Sequence, residues 1–155
     1  MHKKQTELEL SRVKSSIQFS TFIISGRLYG IEVSSVQEVT KSLPITQVPL
    51  APSFIYGLIN LRGQIATAVS LRDLFELTDA PPSEFMNVVC RQDGVLISLL
   101  VDQIGDVIEL DHSSFEQTPE TVTPKVAKFM EGVYKIPGSL LSVIEVKRVL
   151  SVLND

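Results

Sequence analysis

The chain is poor in the residues from which catalytic and metal sites are commonly built. It has one cysteine, two histidines and no tryptophan among 155 residues. A lone Cys90 can form neither an intrachain disulfide nor a CxxC metal site. We interpret Cys90 as a buried structural thiol and His112 as a solvated loop residue. No Walker loop, GxGxxG fingerprint or GxSxG elbow occurs. The sequence therefore predicts no catalytic residue, no metal site and no cofactor.

Long apolar runs and basic clusters are also missing. The first sixteen residues are polar and charged, without the apolar segment of a signal peptide. The longest apolar runs are far shorter than the roughly 20 residues that a membrane helix needs. A formal charge of -4 without a basic run argues against a nucleic-acid binder. We predict a cytoplasmic protein that neither inserts into a membrane nor binds nucleic acid.

The chain does contain enough apolar sequence, 44% of its residues, for one domain with a core. We predict a mobile tail over residues 1–16, in which a short helix at 6–13 is an alternative, and a single domain over 17–155. Short runs rich in β-branched residues alternate with glycine and proline turns, which is typical of small β-barrels. The predicted strands are 17–25, 28–33, 46–48, a 56–69 hairpin, 87–91, 95–101, 107–110, 126–136 and 140–144, and the predicted helices are 71–77 and 145–153.

An internal repeat relates the two halves of the chain. YGIEVSSVQEV at 29–39 aligns with ISLLVDQIGDV at 97–107, and residues 54–74 align with 129–149. The second alignment places Gly57 on Gly132 and Gly63 on Gly138. Chance similarity between β-rich segments is the alternative, but the glycine pairs favour duplication. Duplication predicts two similar β subdomains about a pseudo-twofold axis, in which shared positions serve the fold and differing positions are free to serve function.

Arg62 is the differing position that stands out. It lies between two apolar runs, in the tight Arg62-Gly63-Gln64 link of the predicted hairpin, and it aligns with Pro137. A guanidinium is costly to bury unless it is paired. Two interpretations stay open: an exposed turn cation, or an arginine beside an apolar groove that pairs with a polar group of a partner.

Two segments resemble the CheW family of bacterial chemotaxis coupling proteins. They are YGIEVSSVQEV at 29–39 and GLINLRGQIATAVSLR at 57–72, which carries the NLRG motif. The similarity runs from about residue 17 to 153. Ser70 departs from the acidic residue usual before Leu-Arg, and Ala68 from a proline or larger apolar residue. Both departures affect the expected pairing of the return strand.

The resemblance implies a mainly β fold of two SH3-like five-stranded β-barrel subdomains, intertwined, with short helices and a C-terminal helix. It also implies a scaffold without enzymatic activity, which binds a CheA-type histidine kinase and the cytoplasmic tip of methyl-accepting chemoreceptors. Through them the protein would be associated with membrane receptor arrays. The residues carried over are Val36, Arg62 and Gly63 for receptor binding, and Glu38, Ile45, Tyr56 and Gly57 for kinase binding.

Other functions stay open at this point. A CheW-like interaction module in a non-flagellar pathway, of the pilus or gliding type, would carry the same motifs. A small β-barrel enzyme would require a buried polar constellation that the sequence does not show. The identity of co-purified proteins distinguishes these alternatives.

Overall fold

The computed structural model describes residues 16–154, so the predicted tail and the 6–13 helix lie outside the described residues except for Ser16, which is already in a strand. The described strands are β1 (Ser16–Ile24), β2 (Arg27–Glu32), β3 (Val36–Thr40), β4 (Ile55–Leu61), β5 (Gln64–Ser70), β6 (Met86–Gln92), β7 (Val95–Val101), β8 (Gln103–Asp111), β9 (Phe115–Glu116), β10 (Met130–Ile136) and β11 (Ser139–Ile144). The α-helices are α1 (Leu71–Leu74), α2 (Pro124–Ala127) and α3 (Val146–Leu153).

The described strands form two sheets. The first has the order β8-β1-β2-β11-β10-β9 and the second the order β3-β6-β7-β5-β4. The second sheet closes on itself because Thr46, beyond the end of β3, exchanges backbone hydrogen bonds of 2.9 and 2.8 Å with Leu58 in β4. In the first sheet, β8 leads through a 3-10 turn into β9, which pairs with β10. We call the first sheet barrel one and the second barrel two.

The strand registers repeat between the two halves of the chain. The parallel pairing of β5 with β7 places Thr67 opposite Ile97. The parallel pairing of β11 with β2 places Ser142 opposite Tyr29. The sequence alignment equates Thr67 with Ser142 and Ile97 with Tyr29, so both pairs are the same contact. The strand pairing therefore supports duplication over chance similarity.

Each barrel takes strands from both halves. Strands β1 and β2 join β8 to β11 of the second half, whereas β3 to β5 join β6 and β7. The chain crosses from barrel one to barrel two at the 3-10 turn Val33–Ser35, which we call the first crossing. It returns at Asp102, between β7 and β8, which we call the second crossing. The barrels are thus intertwined.

The largest apolar cluster lies between the barrels, while smaller clusters fill the barrel interiors. Strand β6 shows how one strand serves two cores. Val88 and Cys90 belong to the shared cluster, and Val89 between them belongs to the interior of barrel two. Successive side chains point to opposite faces of a strand, so a strand buried on both faces needs a continuous apolar run.

The predicted fold class, a mainly β protein of two small barrels with short helices and a C-terminal helix, is confirmed. One predicted strand was wrong at its start. Residues 124–127 form α2, with Pro124 in its first turn, and β10 begins only at Met130. A proline there supplies a φ suited to the helix and lacks only an N–H that would have no partner in the helix. Strand β3 was not predicted, and β8 is longer than the predicted 107–110.

Candidate functional site

Arg62 lies at the tip of the β4–β5 hairpin. Leu61 and Gln64 pair across the strands, so Arg62 and Gly63 form the two-residue turn, with φ of 53° and 86°. Positive φ at both positions characterises the type I′ turn, whose twist matches that of the flanking strands. The Gly63 N–H donates to Asn60 Oδ1 at 2.9 Å. An arginine rarely adopts this conformation, so the site places a cation at a position that glycine or asparagine would occupy more easily.

The side chain of Arg62 is paired within the chain. Its Nη2 lies 3.2 Å from Glu38 Oε2, and the two side chains are 80% and 20% exposed. An ion pair in water contributes little to stability. The structure therefore places Arg62 as an exposed turn cation that pairs with Glu38. The resemblance assigned these residues to different partners, yet one ion pair joins them.

Val36 lies at the edge of the core shared by the barrels. It pairs with Cys90 in β6, and Cys90 pairs with Ile97 in β7. These residues form a row across the face of barrel two that is turned toward barrel one. Val36 therefore lies where the apolar core shared by the barrels reaches the surface.

Ile65 and Val95 extend this face, and the sequence analysis did not select them. They precede the paired Thr67 and Ile97 by two residues each, so they are neighbours on the same face of adjacent parallel strands. They are 57% and 40% exposed. The sequence offered only one indication of these surface residues, an apolar side chain at the end of a strand. Buried strand residues are also apolar, so this indication does not distinguish surface from core. Together with Val36 they give an apolar surface beside Arg62.

A cleft of about 150 Å³ opens between the barrels next to Val36. Barrel one contributes the carboxylates of Glu32 and Glu131 to its lining, and barrel two contributes Gln92. Burial, and then the neighbouring Glu32 and Glu145, raise the pKa of the Glu131 carboxyl above its usual range. Lys147 also lines this cleft, so its lining next to Val36 is mostly polar and carries charges of both signs.

Ile45, Tyr56 and Gly57 lie together on the other side of barrel two. A Cβ at Gly57 would collide with the Thr46 carbonyl and lie 2.7 Å from Ile45 Cγ2. Gly57, at φ 146°, therefore admits the segment that closes the barrel. The Tyr56 ring packs edge-on against Phe85 at 5.6 Å. The structure thus gives Gly57 a packing role.

Leu50 is the most exposed apolar side chain of the described residues. It lies between Pro49 and Ala51 at φ 62°, an unusual conformation for leucine. A cleft of about 310 Å³, lined in part by Val48 and Tyr56, lies on this side of barrel two. The sequence analysis did not select Leu50, which lies outside every strand and helix predicted there.

Arg91 is a second cation at the Arg62 end of barrel two. Its Nε donates to Gln37 Oε1 at 3.2 Å, and its Nη2 to Gln64 Oε1 at 3.0 Å. Both acceptors are neutral, so its charge is not compensated by them. These bonds connect β3, β5 and β6. They also hold a second guanidinium near the turn that carries Arg62.

Cys90 is a buried thiol. Burial raises the pKa of the Cys90 thiol to about 12, so it stays protonated at neutral pH and is a poor nucleophile. Between residues 16 and 154, no cluster of three or more histidine, cysteine or acidic side chains is arranged to hold a metal ion. In the same region, no helix has the length and apolar character to cross a bilayer.

Two barrels that exchange strands, share one apolar core and repeat each other's registers define a duplicated double-barrel β protein. The CheW-like domain family matches residues 18–154. The chain belongs to this family.

Relatives and a solved structure agree with that assignment. The chemotaxis protein CheW of Bacillus subtilis is 28% identical, over 90% of this chain and 90% of its own length. That of Treponema pallidum is 27% identical, over 86% and 82%. The crystal structure of the scaffolding protein CheW from Thermoanaerobacter tengcongensis superposes with a TM-score of 0.76 at 31% identity, covering 83% of this chain and 88% of that one.

Proposed function

We propose that the chain is a non-enzymatic adaptor that couples methyl-accepting chemoreceptors to a CheA-type histidine kinase. Membership in the CheW-like family supports it, as do relatives named as chemotaxis proteins. The observation that carries the proposal is the Arg62–Glu38 ion pair, because it joins the two groups of candidate contact residues on one barrel. The chain would associate with receptor arrays through these partners.

The receptor surface would consist of Val36, Arg62 and Gly63, with Ile65 and Val95 added. A receptor tip is expected to be an amphipathic helical hairpin, and such a helix binds by laying its apolar stripe in an apolar groove. Val36, Ile65 and Val95 offer that groove at the seam between the barrels. Arg62 can rotate from Glu38 to a carboxylate or carbonyl of the partner and fix the register through charge-assisted hydrogen bonds.

The kinase surface would consist of Glu38, Ile45, Tyr56 and Gly57, with Leu50 added. Leu50 and Tyr56 present apolar surface next to the segment that closes barrel two. A small number of well-placed apolar and aromatic side chains can supply most of an interface's binding free energy. Glu38 would then be available to the kinase when Arg62 engages a receptor, so that the two interfaces adjoin at one ion pair.

The experiment is a binding titration of the whole chain with the cognate kinase regulatory domain and with receptor-containing membranes. Arg62→Asp should weaken receptor or kinase binding by about 10-fold or more, which corresponds to roughly 1.4 kcal/mol. The matched control is Lys135→Asp, which reverses an equally exposed charge at the aligned hairpin of barrel one, paired at 3.7 Å with Glu116. Its affinities should stay native.

Thermal unfolding separates a contact role from a structural one. Arg62→Asp should shift the free energy of unfolding by less than about 1 kcal/mol, since the pair that it breaks is exposed. A larger loss would make Arg62 structural. A wild-type chain that is folded and binds neither partner would refute the proposed function.

A further inference from the structure

Arg72 is a charged side chain inside the molecule. It lies in α1 and its side chain is only 6% exposed. Its Nε and Nη2 donate to the two carboxylate oxygens of Asp102 at 2.9 and 2.6 Å. The hydrogen bonds to Asp102 outweigh burial and raise the pKa of the guanidinium. This bidentate geometry fixes both position and orientation, which an ordinary ion pair does not.

The partners of Arg72 belong to both barrels. Asp102 is the residue of the second crossing, and its Oδ2 also accepts the Ser25 N–H at 2.8 Å. Ser25 lies in the β1–β2 turn of barrel one, whereas α1 directly follows β5 of barrel two. Asp79 adds an ion pair to Arg72 at 3.2 Å and accepts the Ser25 hydroxyl at 2.7 Å. We call these four residues the Arg72 clamp.

The duplicated first crossing is built differently. The repeat aligns Arg72 with Lys147 and Asp102 with Ser34. Among the ion pairs of the described residues none includes Lys147. The cleft between the barrels lies at this crossing and Lys147 lines it. One crossing is thus held by an ion network around the buried Arg72, and the other, within the described part of the chain, lacks the equivalent ion pair.

We infer that Arg72 is a positioning residue for partner binding: the Arg72 clamp fixes the angle between the barrels at one crossing and so sets the width of the cleft at the other. This rests on the proposed receptor surface, which adjoins that cleft where Val36 follows the lining residue Ser35. Two barrels joined along one apolar interface can change their mutual angle. The bidentate Arg72–Asp102 ion pair on one side limits that change. Arg72 acts through the cleft and touches no partner itself.

The binding test compares variants under conditions in which each is folded. Arg72→Met removes the charge, Arg72→Lys keeps the charge without the fork, and Asp79→Asn weakens the clamp from its exposed side. We expect affinity for receptor-containing membranes to fall about 5-fold or more in Arg72→Met, with partial rescue in Arg72→Lys. Lys125→Met, which breaks an exposed pair with Glu76 on the same side, should bind natively.

A second measurement reports the barrel geometry without a partner. Spin labels at Lys135→Cys in barrel one and Gln47→Cys in barrel two give the distance between the barrels. Buried Cys90 stays unlabelled because its pKa is about 12. The distance distribution should be narrow in the wild-type chain and broader in Arg72→Met. If Arg72→Met does not fold, Asp79→Asn takes its place. Asp79→Asn retains the Arg72–Asp102 fork, so it should also broaden the distance distribution, but by less than the loss of Arg72 would.

The two measurements separate the inference from the proposed function. Unchanged distances in folded clamp variants, or native receptor affinity in folded Arg72→Met, would make Arg72 a purely stabilising residue and overturn the inference. A wild-type chain that binds neither receptor nor kinase would refute the proposed function. In that event the distances alone decide whether the clamp holds the barrels.

Discussion

The two crossings between the barrels descend from one repeated segment, yet they differ in what fastens them. At the second crossing the carboxylate of Asp102 receives the Arg72 fork and the Ser25 N–H. At the first crossing the aligned residues are Ser34 and Lys147, and a cleft is open. The comparison teaches that the strand pairing was preserved after duplication, whereas the side chains around it diverged. The same reasoning applies to two other aligned pairs, Gly57 with Gly132 and Arg62 with Pro137, and to the loops that carry Leu50 and Glu120.

The strongest way to break the comparison is to remove the cation at each crossing. Arg72→Met leaves Asp102, whose side chain is 13% exposed, without its partner and should cost about 3–5 kcal/mol of unfolding free energy. Lys147→Met removes an exposed cation and should change stability by about 0.5 kcal/mol or less. Urea unfolding of both variants measures the difference. Similar losses would contradict the idea that only one crossing is clamped.

A shared glycine should be sensitive to an added side chain in both halves. A Cβ at Gly132 would meet the Glu116 carbonyl, as a Cβ at Gly57 would meet that of Thr46. Overpacking should cost about 1–3 kcal/mol in Gly132→Ala. Gly57→Ala should lose about 1 kcal/mol more, since its φ of 146° disfavours a side chain. Denaturant midpoints check both values. If Gly57→Ala were as stable as the wild-type chain and still abolished kinase binding, Gly57 would belong to the contact surface.

These pairs also show what the sequence could predict. The paired glycines and the ordered apolar pattern led to two similar β subdomains, because backbone requirements leave their mark at fixed positions. The exchange of strands was not predictable in the same way. An alignment says that Thr67 and Ser142 are equivalent, but not which half provides the strand beside each of them.

The sequence selected some residues of the proposed contact surface. Arg62 and Glu38 were selected through the family resemblance, but their mutual pairing depends on barrel closure, which brings β3 next to the β4–β5 turn. Ile65 and Val95 look like core residues in sequence, since only the sheet order shows that their face extends beyond the shared core. The Arg72 clamp was missed because Ser25, Asp79 and Asp102 are far apart along the chain.

Lowering the pH should weaken the second crossing, which depends on an ionised Asp102, and should not act on Ser34 at the first. Burial raises the pKa of Asp102, but hydrogen bonds from Arg72 and the Ser25 N–H outweigh it and lower that pKa below its ordinary 3.8. The unfolded state therefore binds a proton first as pH falls. The stabilisation from ionised Asp102 is fully present above about pH 3.8, its ordinary pKa, and is lost as the pH falls through the pKa of the folded state. Over that range the free energy of unfolding should fall by up to about 1.4 kcal/mol per pH unit.

Asp102→Asn provides the control for this pH dependence. It should lower stability at neutral pH and flatten the acid limb of the stability curve, measured by urea unfolding between about pH 2 and 5. Ser34→Asn at the other crossing should leave that limb unchanged, because serine does not titrate there. An acid limb unaffected by Asp102→Asn would mean that other carboxylates dominate acid unfolding.

The smallest effect on stability should come from the loops that carry Leu50 and Glu120. The bridges Thr46–Leu58 and Glu116–Val133 are equivalent, and Leu50 and Glu120 each lie four residues beyond the first bridged residue of their half. Leu50→Glu removes a fully exposed apolar side chain and should change the free energy of unfolding by less than about 0.5 kcal/mol. If the kinase contacts this loop, Leu50→Glu should weaken kinase binding in a titration, whereas Glu120→Leu should not. Equal affinities would remove Leu50 from the kinase surface, and the difference between the loops would then be neutral divergence after duplication.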